Sequence, residues 1–134
     1  MITEDYVSFE TAKLLKEKGF DEKDVDMWYD KSGEKFYELY HDIKYNWRIK
    51  NHEKVFQCPT LQMAMKWLRE VHHYYIQVML DSWAYGGHSG YYVIIQRTDS
   101  EFEIMLADKA DKVFYDEPEE ACEAGIKYCL ENLI

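Results

Sequence analysis

The feature that most limits what this chain can become is residues 59–72, which read as one amphipathic helix. Leu61, Ala64, Met65, Leu68 and Val71 recur at helical spacing, while Gln62, Lys66, Arg69 and Glu70 form the opposing wet face. Met63 and Trp67 widen the apolar stripe, and Pro59 suits a first helical position. Directly after His72 and His73 the period changes from 3.6 to 2. In residues 74–80, Ile76, Val78 and Leu80 point one way and Tyr75, Gln77 and Met79 the other. Residues 91–96 are almost wholly apolar, and Phe102, Ile104 and Leu106 alternate with Glu101, Glu103 and Met105. Thr98-Asp99-Ser100 reads as a tight turn between these two runs, and residues 84–90 as a looser glycine-rich one.

Two further helices flank this block. The first spans residues 9–18, with Ser8 as N-cap, Val7 stapling onto Ala12, and Gly19 where a left-handed C-terminal residue belongs. Ala12 and Leu15 mark its buried stripe, and Phe20 can fold back on the last turn. The other spans residues 118–132, starting at Pro118 with Glu119 and Glu120 in the first turn. Its buried face is Ala121, Cys122, Ile126, Cys129, Leu130 and Leu133. Residues 25–29 and 36–40 form an aromatic hairpin around Asp30-Lys31-Ser32-Gly33. Residues 42–57 show no sustained period and read as a long loop with a short strand. A short strand is also expected at residues 113–115. The order α-β-β-α-β-β-β-α, with hairpin-linked strands, predicts an α+β fold: an antiparallel sheet of about three to five strands packed with three helices. A length of 134 residues predicts one compact domain.

Two of the helical stretches carry a resemblance. Residues 59–72 (PTLQMAMKWLREVH) and 119–134 (EEACEAGIKYCLENLI), together with residues 7–21, resemble a family of small uncharacterised proteins from gut Bacteroides and their phages. The resemblance covers the three helices and not residues 25–57. It implies a cytoplasmic or phage-encoded accessory protein with a role such as modulating a host factor. That family has no established activity, so no catalytic residues carry over, and since the matching positions are helix-core and capping residues the resemblance informs fold more than function.

Composition narrows the partners. There are 26 acids against 16 Lys and Arg, a formal charge of −10. Residues 99–134 hold 11 acids and 3 bases, a net of −8, so the acidity is concentrated there. Such a surface repels duplex nucleic acid. The order of the last three strands and final helix fits a double-stranded RNA-binding module, but that module needs a basic helix start, and this one reads Asp116-Glu117-Pro118-Glu119-Glu120. The exception to the acidity is residues 44–54, where Trp47 and Arg48 sit among further cations and a tyrosine, a composition that can stack on single strands. A solvated loop with aromatic anchors is the simpler reading. The first residues, Met1-Ile2-Thr3-Glu4-Asp5, have neither the basic nor the apolar region of a signal peptide, and no apolar run has the length of a membrane span. The cytoplasm is the expected location.

Motifs for chemistry are sparse. His41, His52, His72, His73 and His88 show no paired ligand spacing, so no metal and no cofactor is expected. The three Cys are an odd number, and Cys122 and Cys129 lie about 10.5 Å apart along a helix, beyond disulfide reach. Cys58 precedes a helix, where a thiolate would be favoured, but a free Cys is more often a small buried residue. Ser89 in Gly86-Gly87-His88-Ser89-Gly90 lacks the strand-to-helix setting of a nucleophile elbow. No catalytic residue is assigned. Both faces of the strands at 74–80 and 91–96 carry apolar side chains, and one is rich in Tyr and Met. The expectation is a non-enzymatic protein-interaction module with an exposed aromatic patch of Tyr75, Tyr92, Trp83 and Tyr85, and with homodimerisation as one use of it. The alternatives are a small enzyme with a site built from loops and an acidic DNA-mimic inhibitor.

Overall fold

The computed structural model describes residues 2–37, 55–106 and 114–134. Among them are three α-helices and two three-stranded antiparallel sheets, an α+β arrangement in the expected element order with one two-residue strand added at Phe56–Gln57. That strand falls in the stretch expected to hold a short one. The chain divides into two compact units, Met1–Thr60 and Leu61–Ile134.

In the first unit, α1 (Phe9–Glu17) starts where predicted and ends one residue earlier, with Lys18 as its C-cap. Ser8 Oγ accepts a hydrogen bond from Thr11 N, satisfying one of the free amides at the helix start. At the other end Gly19 takes φ +93°, Phe20 N donates to Leu15 O and Gly19 N donates to Lys16 O, a complete Schellman closure. The sheet has the order β2-β1-β3, built from β1 (Met27–Tyr29), β2 (Lys35–Tyr37) and β3 (Phe56–Gln57). The β1–β2 turn is held by Asp30, whose Oδ1 accepts from Ser32 N, Ser32 Oγ and Glu34 N. These donors keep the Asp30 carboxyl below its ordinary range, the Ser32 hydroxyl contributing most. Gly33 supplies the left-handed residue that a three-residue hairpin loop requires. Phe9 of α1 packs on Tyr29 and Phe56, at 5.4 and 5.6 Å between ring centres. The Tyr29 hydroxyl donates to Val7 O at 2.6 Å within the core.

Gln57 is a buried polar residue with a complete account. Its Nε2 donates to Glu22 O at 2.6 Å and its Oε1 accepts from Glu22 N at 3.0 Å, so the side chain pairs with backbone as a strand would. Cys58 is fully buried, its Sγ donating to Val7 O at 3.7 Å. Pro59 does not begin the next helix. Its carbonyl accepts from Val7 N, and Thr60 bridges Tyr6, so the chain stays extended for two residues more than predicted.

In the second unit, α2 (Leu61–His72) leads into β4 (Tyr74–Asp81) through His73 alone, in the left-handed region at φ 65°. β4 pairs with β5 (Gly90–Arg97), which pairs with β6 (Glu103–Met105), in the order β4-β5-β6. The register sets Ile76 opposite Ile95, Val78 opposite Val93, and Ile95 opposite Ile104. This is the helix-covered face. α3 (Pro118–Tyr128) packs on β4 and β5, and α2 on β4 and α3. Gly125 lets α3 approach closely: a Cβ there would lie 2.9 Å from Val93 Cγ1 and 3.0 Å from Ile76 Cγ2. The last predicted helical turn is instead a π-turn over Cys129–Leu133, in which Cys129 and Leu130 are buried as predicted and Leu133 is half-buried.

In α2 the buried residues are Leu61, Ala64, Trp67 and Leu68, whereas Val71 is exposed and Met65 half-buried. The apolar stripe is thus rotated toward Trp67, whose ring fills more of the core than Val71 could. The predicted strand at 113–115 is a single bridge, Tyr115 to Tyr91, with Val113 outside the described residues. Among the described residues, no helix is long and apolar enough to cross a membrane.

Candidate functional site

The register that seats Ile76, Val93 and Ile95 against the helices turns the alternate residues to the other face of β4-β5-β6. Tyr75, Gln96 and Glu103 form one row across the strands. Gln77, Ile94 and Met105 form the next, and Met79 and Tyr92 the third. On this face Tyr75 is 43% exposed, Met79 36% and Met105 55%. Tyr92 and Ile94 are half-buried. The solvated face of an antiparallel sheet is ordinarily polar. Here its polar members are spent on one another: Gln77 Nε2 donates to Gln96 Oε1, and Gln96 Nε2 donates to Glu103 Oε2 at 2.9 Å. What remains exposed around this amide chain is thioether and aromatic surface.

The β4–β5 loop closes one end of the face. Asp81 Oδ1 accepts from Trp83 N, Gly86 N donates to Trp83 O, and Tyr85 N donates to His88 O. Trp83 is held outward, 75% exposed. Phe114 joins this loop to the sheet, edge-on to Tyr85 at 6.0 Å and to Tyr92 at 6.1 Å. What burial the Tyr85 ring has, with the Asp116 and Glu120 carboxylates nearby, pushes its phenol above the ordinary value. At the other corner Arg97 stacks over Tyr74 at 4.9 Å and forks onto Asp99 at 2.6 and 2.7 Å, locking the β5–β6 turn. That pairing holds the Asp99 carboxyl below its usual range.

Of the six residues singled out from sequence, Tyr92 and Tyr85 come together through Phe114. Tyr75 lies apart from them, about 13 Å along β4 from the Tyr92 row by strand rise. Trp83 stands on the loop, and Trp47 and Arg48 lie outside the described residues. Sequence reasoning missed the exposed Met105 and the Gln77–Gln96–Glu103 chain. Alternation puts each on its face, but only the register shows that they share one.

The cysteines are packing residues. Cys122 and Cys129 are buried, and burial pushes both thiols up to about 12. Cys122 Sγ lies 3.3 Å from Met65 Sδ. His72 stacks edge-on to Trp67 at 4.7 Å, and desolvation, with His73 beside it, lowers its pKa. Among the described residues no group of three His, Cys, Asp or Glu is placed to hold a metal ion. No family model matches the chain, and no curated protein or solved structure matches it.

Proposed function

We propose that this chain is a protein-interaction module, of the accessory kind that phages and mobile elements carry, and that it binds a protein partner through the open face of β4-β5-β6. The observation that carries the reading is the contiguous apolar surface of Tyr75, Met79, Ile94 and Met105 on the side of the sheet opposite the helices. Tyr and Met are the residues favoured in the cores of protein interfaces, and methionine adapts its shape to a partner. The amide chain in the middle of the face lowers the cost of covering it. Gln77, Gln96 and Glu103 already bond one another, so fewer polar groups are left unmet when water is excluded. Trp83, on the adjoining loop, is a further exposed aromatic.

The test is affinity capture from the native host with wild type and with Met79→Glu and Met105→Glu. Both positions are exposed, so a charge there leaves the fold intact. A protein retained by the wild type and lost from both variants supports the reading. A partner retained equally by all three moves the interface elsewhere. Light scattering on the same samples separates a foreign partner from a second copy of the chain.

A further inference from the structure

We propose that a groove beside β4 binds a small organic monoanion, a carboxylate carried on an apolar body. The groove encloses about 350 Å³, near the lower end of the volumes that hold small ligands. One wall is α2. Gln62, Lys66 and Arg69 stand at i, i+4 and i+7, one face of the helix, with Met63 and Met65 beside them. The other wall is the start of β4, through Tyr75 and the buried Ile76.

The charges that line this groove are both positive, in a chain whose formal charge is −10. A local reversal of sign inside a concave site draws anions to it. Lys66 supplies a mobile point charge. Arg69 supplies a planar fork matched to a carboxylate. Its acidic neighbour Glu70 lies 3.8 Å from Nη2, a loose ion pair between part-exposed side chains that is too long for a hydrogen bond. The Gln62 amide adds donors at the rim. The rest of the lining is apolar or aromatic: two thioethers, Ile76 and the ring of Tyr75. The ligand is therefore an anion with a hydrophobic body. The net −8 of residues 99–134 opposes a dianion more than a monoanion, which favours a carboxylate over a phosphate monoester.

Only Tyr75 is shared with the face proposed to take a protein partner, and Met79 and Met105 do not line the groove, so the two readings fail independently. The test is calorimetric titration of the whole chain with phenylacetate and with its neutral isostere phenylacetamide, at low and at physiological salt. Phenylacetate is expected to bind about tenfold or more tightly than the amide, with an affinity that falls as salt is added. Amide-proton shifts should gather at residues 62–69 and 75–76. Lys66→Gln/Arg69→Gln should lower the affinity by about tenfold or more while leaving the melting temperature in place. Failure of phenylacetate to saturate at millimolar concentration, equal binding of the amide, or undiminished affinity in the double variant would each overturn the proposal. If the double variant does not fold, the comparison of acid, amide and salt on the wild type decides alone.

Discussion

Replacing Gly125 by alanine adds one methyl group at the point where α3 lies closest to its sheet. In an exposed helix the change would stabilise by about 1 kcal/mol, through the higher helix propensity of alanine. Here the new Cβ would sit 2.9 Å from Val93 Cγ1 and 3.0 Å from Ile76 Cγ2. Both neighbours are buried and β-branched, held by one preferred χ1 well, so neither can swing aside without moving its strand. Overpacking of this kind costs about 1–3 kcal/mol. The clash outweighs the propensity gain, and the net expectation is a loss of about 1 kcal/mol, or roughly 3–6 °C in melting temperature for a chain of this length. Thermal unfolding followed by far-ultraviolet circular dichroism measures it. Adding Val93→Ala removes the nearer obstacle, and in that background Gly125→Ala should cost less by about 1 kcal/mol. A single variant that melts at or above the wild-type temperature would refute the reasoning and place α3 farther from the sheet.

Three further expectations follow from the same structure. Leu68→Ala should cost about 2–5 kcal/mol because Leu68 is fully buried, whereas Lys66→Ala on the solvent face of α2 should change stability little; equal midpoints in urea would mean the helix is rotated. Gln57→Glu should be tolerated at low pH and destabilising at neutral pH, because an ionised carboxylate cannot donate to Glu22 O; its carboxyl pKa is raised on folding, so stability is present below the unfolded value and lost as pH rises, and a flat profile from pH 4 to 7 would contradict the pairing. Native Cys58, Cys122 and Cys129 should resist an aromatic disulfide reagent at pH 8 and react in guanidinium, since all three are buried and burial pushes the Cys122 and Cys129 thiols up to about 12, far above that pH; rapid labelling of the native chain would refute the core assignment.

What could be read from sequence, and what could not, divides along physical lines. Helix ends were legible because their chemistry is local: Ser8 and Gly19 each act within a few residues, and the structure shows both caps in full. Strand faces were legible because side chains alternate. Register was not, since it is fixed by pairing between distant residues, so the hydrogen-bond chain from Gln77 through Gln96 to Glu103, which joins two neighbouring rows, could not be foreseen. The same limit hid Gln57, whose partner Glu22 lies 35 residues away. Pro59 is ambiguous in sequence because its fixed φ suits both a helix start and an extended segment, and Val7 N on its carbonyl selects the second. The buried face of α3 was legible through Ala121, Cys122 and Ile126, but not the close approach at Gly125, which depends on where Ile76 and Val93 of the distant strands lie.

The central claim, that the open face of β4-β5-β6 receives a partner, is tested most directly by methionine-oxidation footprinting with dilute peroxide. In the isolated chain Met79 and Met105 should oxidise fast and the buried Met27 slowly. In the complex with the protein captured by the wild type, Met79 and Met105 should be protected several-fold while Met63, off the face, keeps its rate. Met79 and Met105 oxidising at undiminished rates in that complex would contradict the account.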